Sequence, residues 1–69
     1  MKTDVEKILE AVSVTAELTG ADLSENAKAA MVEELLPFGV VKSLDALNRC
    51  RRELTGRLTL AAVLQRIDT

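Results

Sequence analysis

Two Thr-Gly steps and one proline divide this 69-residue chain into four segments. The steps are Thr19-Gly20 and Thr55-Gly56, and the proline is Pro37. Glycine accepts the left-handed backbone that ends a helix, and proline disfavours helical angles in the residue before it. Within each segment the apolar residues recur every three or four positions. The chain is therefore expected to form four short helices joined by short loops.

The first two segments carry their own start signals. Thr3 and Glu6 form a capping box, in which the hydroxyl and the carboxylate each accept a backbone N–H, so we expect a first helix over residues 4–18. Ser24 is a natural N-cap for a second helix, which Pro37 ends by pushing the preceding residue away from helical angles. The apolar positions expected to face the core are Val5, Ile8, Leu9, Val12 and Ala16, a second stripe of Ala11, Val14 and Leu18 that broadens this face, and Ala27, Ala30, Met31, Val32, Leu35 and Leu36.

The third helix is expected to begin near Phe38 or Gly39 and to run to Leu54, and Thr59 caps a fourth helix. Most charged side chains of the third helix point away from its apolar stripe. Arg51 is the exception, because it lies within the stripe; its stem can follow the core edge, or its guanidinium can meet a carboxylate of the first two helices. The apolar stripe of the third helix consists of Val40, Leu44, Leu47 and Leu54, with Val41 and Cys50 at its margins. The apolar residues of the fourth helix, which are expected to cover the open end of the core, are Leu60, Val63, Leu64 and Ile67.

The predicted fold is a single all-α domain, residues 1–69, built as a compact bundle of four short helices of which the last is the shortest. Phe38 is the only aromatic residue, so the core has to be aliphatic, and a chain of this size is expected to be marginally stable. Cys50 is the only cysteine and excludes an internal disulfide. With no apolar signal core and no run of about 20 apolar residues, we expect a cytoplasmic protein without a membrane partner.

The composition argues against catalysis. Histidine is absent, which removes the usual general base and the commonest metal ligand, and one cysteine cannot form a zinc site. No glycine-rich phosphate loop occurs. We therefore expect no enzymatic activity and no cofactor or metal. Ser43 follows Lys42, so it matches poorly the Asp-Ser-Leu signature of phosphopantetheine carriers, and Cys50 is expected at the core edge although its arginine neighbours could lower its pKa.

The charge is divided between the two halves. Residues 1–36 carry three lysines against eight carboxylates, a net −5, whereas residues 37–69 carry six basic residues against three carboxylates, a net +3. Two interpretations stay open: the halves attract each other within the fold, or one side meets an anionic partner. The basic residues that could contact phosphates or an acidic protein surface are Lys42, Arg49, Arg52, Arg57 and Arg66. The alternative for them is a solvated face with four-residue ion pairs, Asp45 to Arg49 and Arg49 to Glu53.

The chain has two helical segments, a proline, and then a charged helix that contains Val40-Val41-Lys42 and Ala46-Leu47. A short loop and the capped segment 58–67 follow. This order resembles the N-terminal helical domain of phage replication proteins of the helicase loader and inhibitor type. The run at residues 49–60 also resembles phage and prophage proteins. The resemblance implies a replication accessory that acts by protein contacts, with the replicative helicase or another replication protein as partner. Family members continue into a flexible C-terminal region, and this sequence stops after the fourth helix.

Two alternatives remain beside that expectation. The first is a small nucleic-acid-binding regulator that uses the basic face of the third helix, with DNA as the partner. No Tyr or Trp is present for base stacking, and the sequence pI near 5.0 is low for such a protein. The second is a domain that only forms homo-oligomers.

Overall fold

The computed structural model describes residues 2–53 and 56–67, and all the regular secondary structure in these ranges is helical, as predicted. The helices are α1 (Asp4–Thr19), α2 (Glu25–Leu35), α3 (Val40–Glu53) and α4 (Leu60–Gln65), with a 3-10 helix (Leu36–Phe38) between α2 and α3. The all-α bundle with a shortest fourth helix is confirmed. The predicted end of the third helix at Leu54 and the Thr55 stop lie outside the described residues.

Helix α1 is bounded by local signals at both ends. The Thr3 hydroxyl accepts the Glu6 N–H at 3.2 Å, which confirms the cap. The Glu6 carboxylate accepts the Thr3 hydroxyl at 3.3 Å instead of the backbone N–H expected in a capping box. At the other end Gly20 has the left-handed φ of 75°, and the N–H of Ala21 donates to the Ala16 carbonyl at 2.8 Å. This is the Schellman arrangement that satisfies the last carbonyls of a helix.

The junction between α2 and α3 differs from the prediction. Ser24 caps α2 by accepting the Ala27 N–H at 3.1 Å, as expected. Leu36, however, keeps helical angles of −52° and −43° and begins the 3-10 helix. Pro37 is tolerated in the first turn of that helix, where its missing N–H costs no hydrogen bond. The chain turns instead at Gly39, whose φ of 89° disfavours any residue with a side chain.

The core lies between α1, α2 and α3 and is closed by α4. Helix α1 packs against both α2 and α3, and α3 also packs against α4. The core is aliphatic apart from Phe38, which is half-buried against it. The buried apolar residues are Ile8, Val12, Ala16, Met31, Val32, Leu35, Ala46, Leu47, Cys50, Leu58, Val63 and Ile67.

The buried face of α3 is rotated from the predicted one, although Leu47 and Cys50 belong to both. Ser43, Ala46, Leu47 and Cys50 are buried, whereas the expected stripe members Val40 and Leu44 are only half-buried. The Ser43 hydroxyl donates to the Leu35 carbonyl at 3.0 Å or the Gly39 carbonyl at 2.8 Å, so its burial leaves no polar group unpaired. Val41 is 77% exposed.

The segment before α4 is fixed to α1 through Thr19. The Thr19 hydroxyl donates to the Thr15 carbonyl at 2.9 Å and accepts the Leu58 N–H at 3.1 Å. Leu58 is thereby held in the core, and Thr59 caps α4 as predicted by accepting the Ala62 N–H at 3.1 Å. Leu64 was expected to cover the core and is 38% exposed, because a six-residue helix buries one narrow face, which Val63 occupies.

Replacing Thr19 with Val keeps the side-chain shape but removes the acceptor for the Leu58 N–H. We expect the free energy of unfolding to fall by about 1–3 kcal/mol, because the partly buried amide is left unpaired. Urea unfolding followed by far-ultraviolet circular dichroism measures this loss. Thr19→Ser retains the hydroxyl and is the control; equal stability of the Val and Ser variants would contradict the role of this hydrogen bond.

Candidate interaction surfaces

The five predicted basic site residues do not form one uniform surface. Arg49 and Arg66 converge on Glu53, which joins the end of α3 to the residue that follows α4. Lys42, Arg52 and Arg57 are exposed, and within the described part of the chain none of these three lies within ion-pair distance of a carboxylate. They remain candidates for an anionic partner.

The contacts around Glu53 link α3 to α4. The Arg66 Nε donates to Glu53 Oε1 at 3.0 Å, and Arg66 Nη1 donates to the Ala62 carbonyl at 2.9 Å. The Arg49 Nε lies 3.7 Å from Glu53 Oε2, so this arginine pairs with Glu53 and not with Asp45, its other expected partner. Arg49 also donates to the Arg66 carbonyl at 3.4 Å. Two of the predicted site residues therefore have a structural use.

Replacing Glu53 with Gln is expected to lower the free energy of unfolding by about 0.5–1 kcal/mol, because the carboxylate is half exposed and its pairs are screened by water. The loss should shrink in about 1 M salt, where screening is strong. Urea denaturation at low and high salt measures both effects. Glu34→Gln changes the charge equally at an exposed site, and an equal loss in that variant would contradict the proposed link.

None of the four ion pairs among residues 2–53 and 56–67 joins the acidic half of the chain to the basic half. Each pair lies within one half, so direct pairing between the halves, one of the two interpretations of the charge division, is not observed in this part of the chain. The pairs are Lys2–Glu10, Lys28–Glu25, Arg49–Glu53 and Arg66–Glu53. Among the described residues, the opposite charges of the two halves are therefore not paired directly with each other.

Cys50 is fully buried, beside the charged groups of Arg49, Glu53 and Arg66. Burial raises the pKa of its thiol above the ordinary value of 9.0; Arg66 and Arg49 oppose this shift and Glu53 adds to it. The lowering that neighbouring arginines could cause is therefore outweighed by desolvation. The thiol is held protonated and shielded, which is the opposite of a reactive cysteine.

We expect a thiol reagent to label Cys50 about 100-fold more slowly in the native chain than in urea, because the reaction requires local opening of the core. Absorbance of the released chromophore gives both rates. Rapid labelling of the folded chain would contradict this burial.

The raised pKa of the Cys50 thiol in the native chain also affects stability. The free energy of unfolding should fall as the pH rises through 9.0, since only the unfolded chain readily loses the proton.

A groove lies between α1 and α3 and has a volume of about 330 Å³. Its base is formed by Ala11, Thr15 and Leu44, which are buried or half-buried, and Val14 extends the apolar lining to the surface at 40% exposure. The second stripe of α1 was expected to broaden the packed face. Instead Val14 lines this groove and Leu18 is 63% exposed.

The rim of the groove is polar and mostly basic. Lys2, Lys7 and Arg51 contribute three positive charges and Glu10 one negative charge, a net +2. Lys2 pairs with Glu10, and Arg51 donates to the Asn48 Oδ1 at 2.9 Å. The guanidinium of Arg51 thus meets an amide of its own helix and not the carboxylate that the sequence suggested. The sequence singled out Arg51 as unusual but did not predict the groove.

The other reactive groups offer little chemistry. Ser43 is fully buried with its hydroxyl bonded to backbone carbonyls, which gives a modifying enzyme no access to it. Among the described residues no three His, Cys, Asp or Glu side chains are grouped to hold a metal ion. The longest described helix has 16 residues, and no helix in this part of the chain is long and apolar enough to cross a membrane.

Comparison of the chain with protein-family models, with curated protein sequences and with solved structures finds no match in any of the three.

Proposed function

We propose that this chain is a non-enzymatic adaptor domain that acts by binding another protein. The observation that carries the proposal is the groove between α1 and α3, which leaves apolar side chains of α1 open to a partner. A chain this small has few aliphatic residues to spare from its core, so an apolar strip beside a charged rim suits a binding site. The resemblance to phage helicase loader-type domains suggests the replicative helicase or another replication protein as that partner.

The basic residues support this function better than they support nucleic-acid binding. Arg49 and Arg66 are drawn into contacts with Glu53, which leaves Lys42, Arg52 and Arg57 as the exposed cations of the predicted set. Few phosphate contacts give weak, strongly salt-dependent binding. These three exposed cations still favour DNA as the second candidate ligand.

The chain offers no accessible group of the kinds that usually activate a substrate among the residues considered for catalysis. The sequence has no histidine to activate a nucleophile, and both Ser43 and Cys50 are fully buried. A binding role requires only a stable surface, which the four helices supply.

Capture of purified bacterial replicative helicase by the immobilised domain tests the proposal. We expect capture to survive nuclease treatment, and affinity for duplex DNA at physiological salt to be weaker than about 1 μM, the range of non-specific binding. Fluorescence anisotropy of a labelled duplex measures the second quantity.

The variant Arg52→Glu with Arg57→Glu separates the two candidates, because neither side chain contributes an ion pair among the described residues. It should leave nuclease-resistant helicase capture largely unchanged. Loss of all capture on nuclease treatment, together with tight duplex binding that this variant abolishes, would replace the adaptor by a nucleic-acid regulator. Light scattering of the domain alone identifies the third possibility, a homo-oligomer without a partner.

A further inference from the structure

We propose that the groove between α1 and α3 is the docking site for an acidic amphipathic helix of the partner protein. This inference rests on the adaptor function proposed above and names the surface and the kind of ligand. It follows from three properties of the groove: its shape, the sign of its rim charge, and the apolar strip that continues beyond it.

The shape suits the apolar face of a helix. Two helices form the walls, and the base is lined by Ala11, Thr15 and Leu44. An apolar cavity of about 150 Å³ accommodates a benzene-sized group, so the groove volume of about 330 Å³ provides room for about two apolar side chains. Helix-in-groove recognition inserts anchors spaced three, four and seven residues apart, and two such anchors fit this volume.

The positive charge of the groove rim favours an acidic ligand. The rim carries a net +2 on a chain whose net charge is −2, so the groove has the opposite sign to the molecule as a whole. Lys2 is already paired with Glu10. Lys7 and Arg51 have no carboxylate within ion-pair distance among the described residues, and they lie on different walls of the groove. Carboxylates on both sides of an apolar stripe would meet these two cations.

The apolar strip on α1 extends past the groove. Val14 and Leu18 are one helical turn apart and therefore neighbours on one face, with exposures of 40% and 63%. Val41 is also exposed, but single exposed apolar residues are normal in soluble proteins, whereas a strip continuous with a groove marks an interaction site. The strip extends the expected contact along α1.

A second copy of this chain is a poor occupant. Its acidic helix α2 carries Glu25, Glu33 and Glu34, but the large apolar residues of α2 lie in its own core. Met31, Val32 and Leu35 would have to leave that core to serve as anchors, which would cost the stability of the donor molecule. The ligand is therefore expected on another protein.

The probe for this site is a synthetic peptide of about 18 residues, long enough to form a helix in water, with Leu anchors on one face and Glu beside them. A matched peptide carries Lys at every Glu position. Anisotropy of the labelled peptides against the full chain should show that the Glu peptide binds at least about tenfold tighter. Amide chemical-shift changes on binding should cluster on the facing sides of α1 and α3.

Two matched pairs of variants locate the contact. Val14→Ser should weaken binding of the Glu peptide about tenfold, whereas Val41→Ser, at a more exposed valine outside the groove, should not. Lys7→Gln with Arg51→Gln should also weaken it about tenfold, whereas Arg52→Gln with Arg57→Gln, an equal change of charge, should have little effect. All six substituted positions are exposed, and circular dichroism melting checks the fold of each variant. If Val14→Ser were unfolded, the charge pair alone would decide.

Equal affinity for the two peptides, shift changes away from α1 and α3, or equal losses within a matched pair would overturn the inference. A dimer that Val14→Ser dissociates would replace the partner helix by a second copy.

The experiments also distinguish a failure of the groove proposal from a failure of the proposed function. If Val14→Ser captures helicase as well as the wild type does, the groove is wrong and the adaptor stands; if the Glu peptide binds as expected but helicase is not captured, the groove stands and the replication role is wrong.

Discussion

Burial of aliphatic side chains, with one half-buried aromatic residue beside them, is the constraint on which the rest of this structure depends. A 69-residue chain with Phe38 as its only aromatic has to stabilise itself with Leu, Ile, Val, Ala and Met side chains, each of which contributes about 1.5–3 kcal/mol or less on burial. Such a core leaves little surplus. Because the core has so little surplus, the apolar area that Val14 and Leu18 leave exposed, at 40% and 63%, is a sizeable loss for this fold.

The closing helix shows how polar contacts complete a small core. Helix α4 has six residues, far fewer than an isolated helix needs to be stable in water. Its cap at Thr59, the Thr19 hydrogen bond to Leu58 and the contacts of Arg66 with Glu53 hold it over α3. Each contact is modest, but together they place Val63 and Ile67 in the core. The basic residues that looked like a binding cluster serve this closure in part.

The starts of α1, α2 and α4 and the end of α1 could be predicted because their causes are local. A capping hydroxyl at Thr3, Ser24 or Thr59 acts within one turn, and Gly20 needs only its own backbone freedom. The buried face of α3 could not be predicted, because it places Ser43 against α2, where its hydroxyl reaches the Leu35 carbonyl only after the chain has turned at Gly39.

In the candidate site, too, local features could be predicted from the sequence and features that depend on packing could not. The sequence marks which residues are basic, but the choice of Glu53 as partner of Arg66, 13 positions away, is made by the packing of α4. The groove is even harder to predict from the sequence, because it exists only between two helices that are distant in the sequence. The sequence marked Arg51 as unusual, since it interrupts an apolar stripe, but it did not identify the residues that face Arg51 across the groove.

The division of charge along the chain acquires a spatial meaning from this arrangement. If the halves were held together by ion pairs, the acidic and basic groups would neutralise each other across the fold, yet every described pair lies within one half. The groove instead combines Lys7 from the acidic half with Arg51 from the basic half. Packing α1 against α3 thus creates a positive site that neither helix has alone, and a partner would recognise it only on the folded domain. Folding and recognition then depend on the same helix contact, so a variant that loosens α1 from α3 should lose both together.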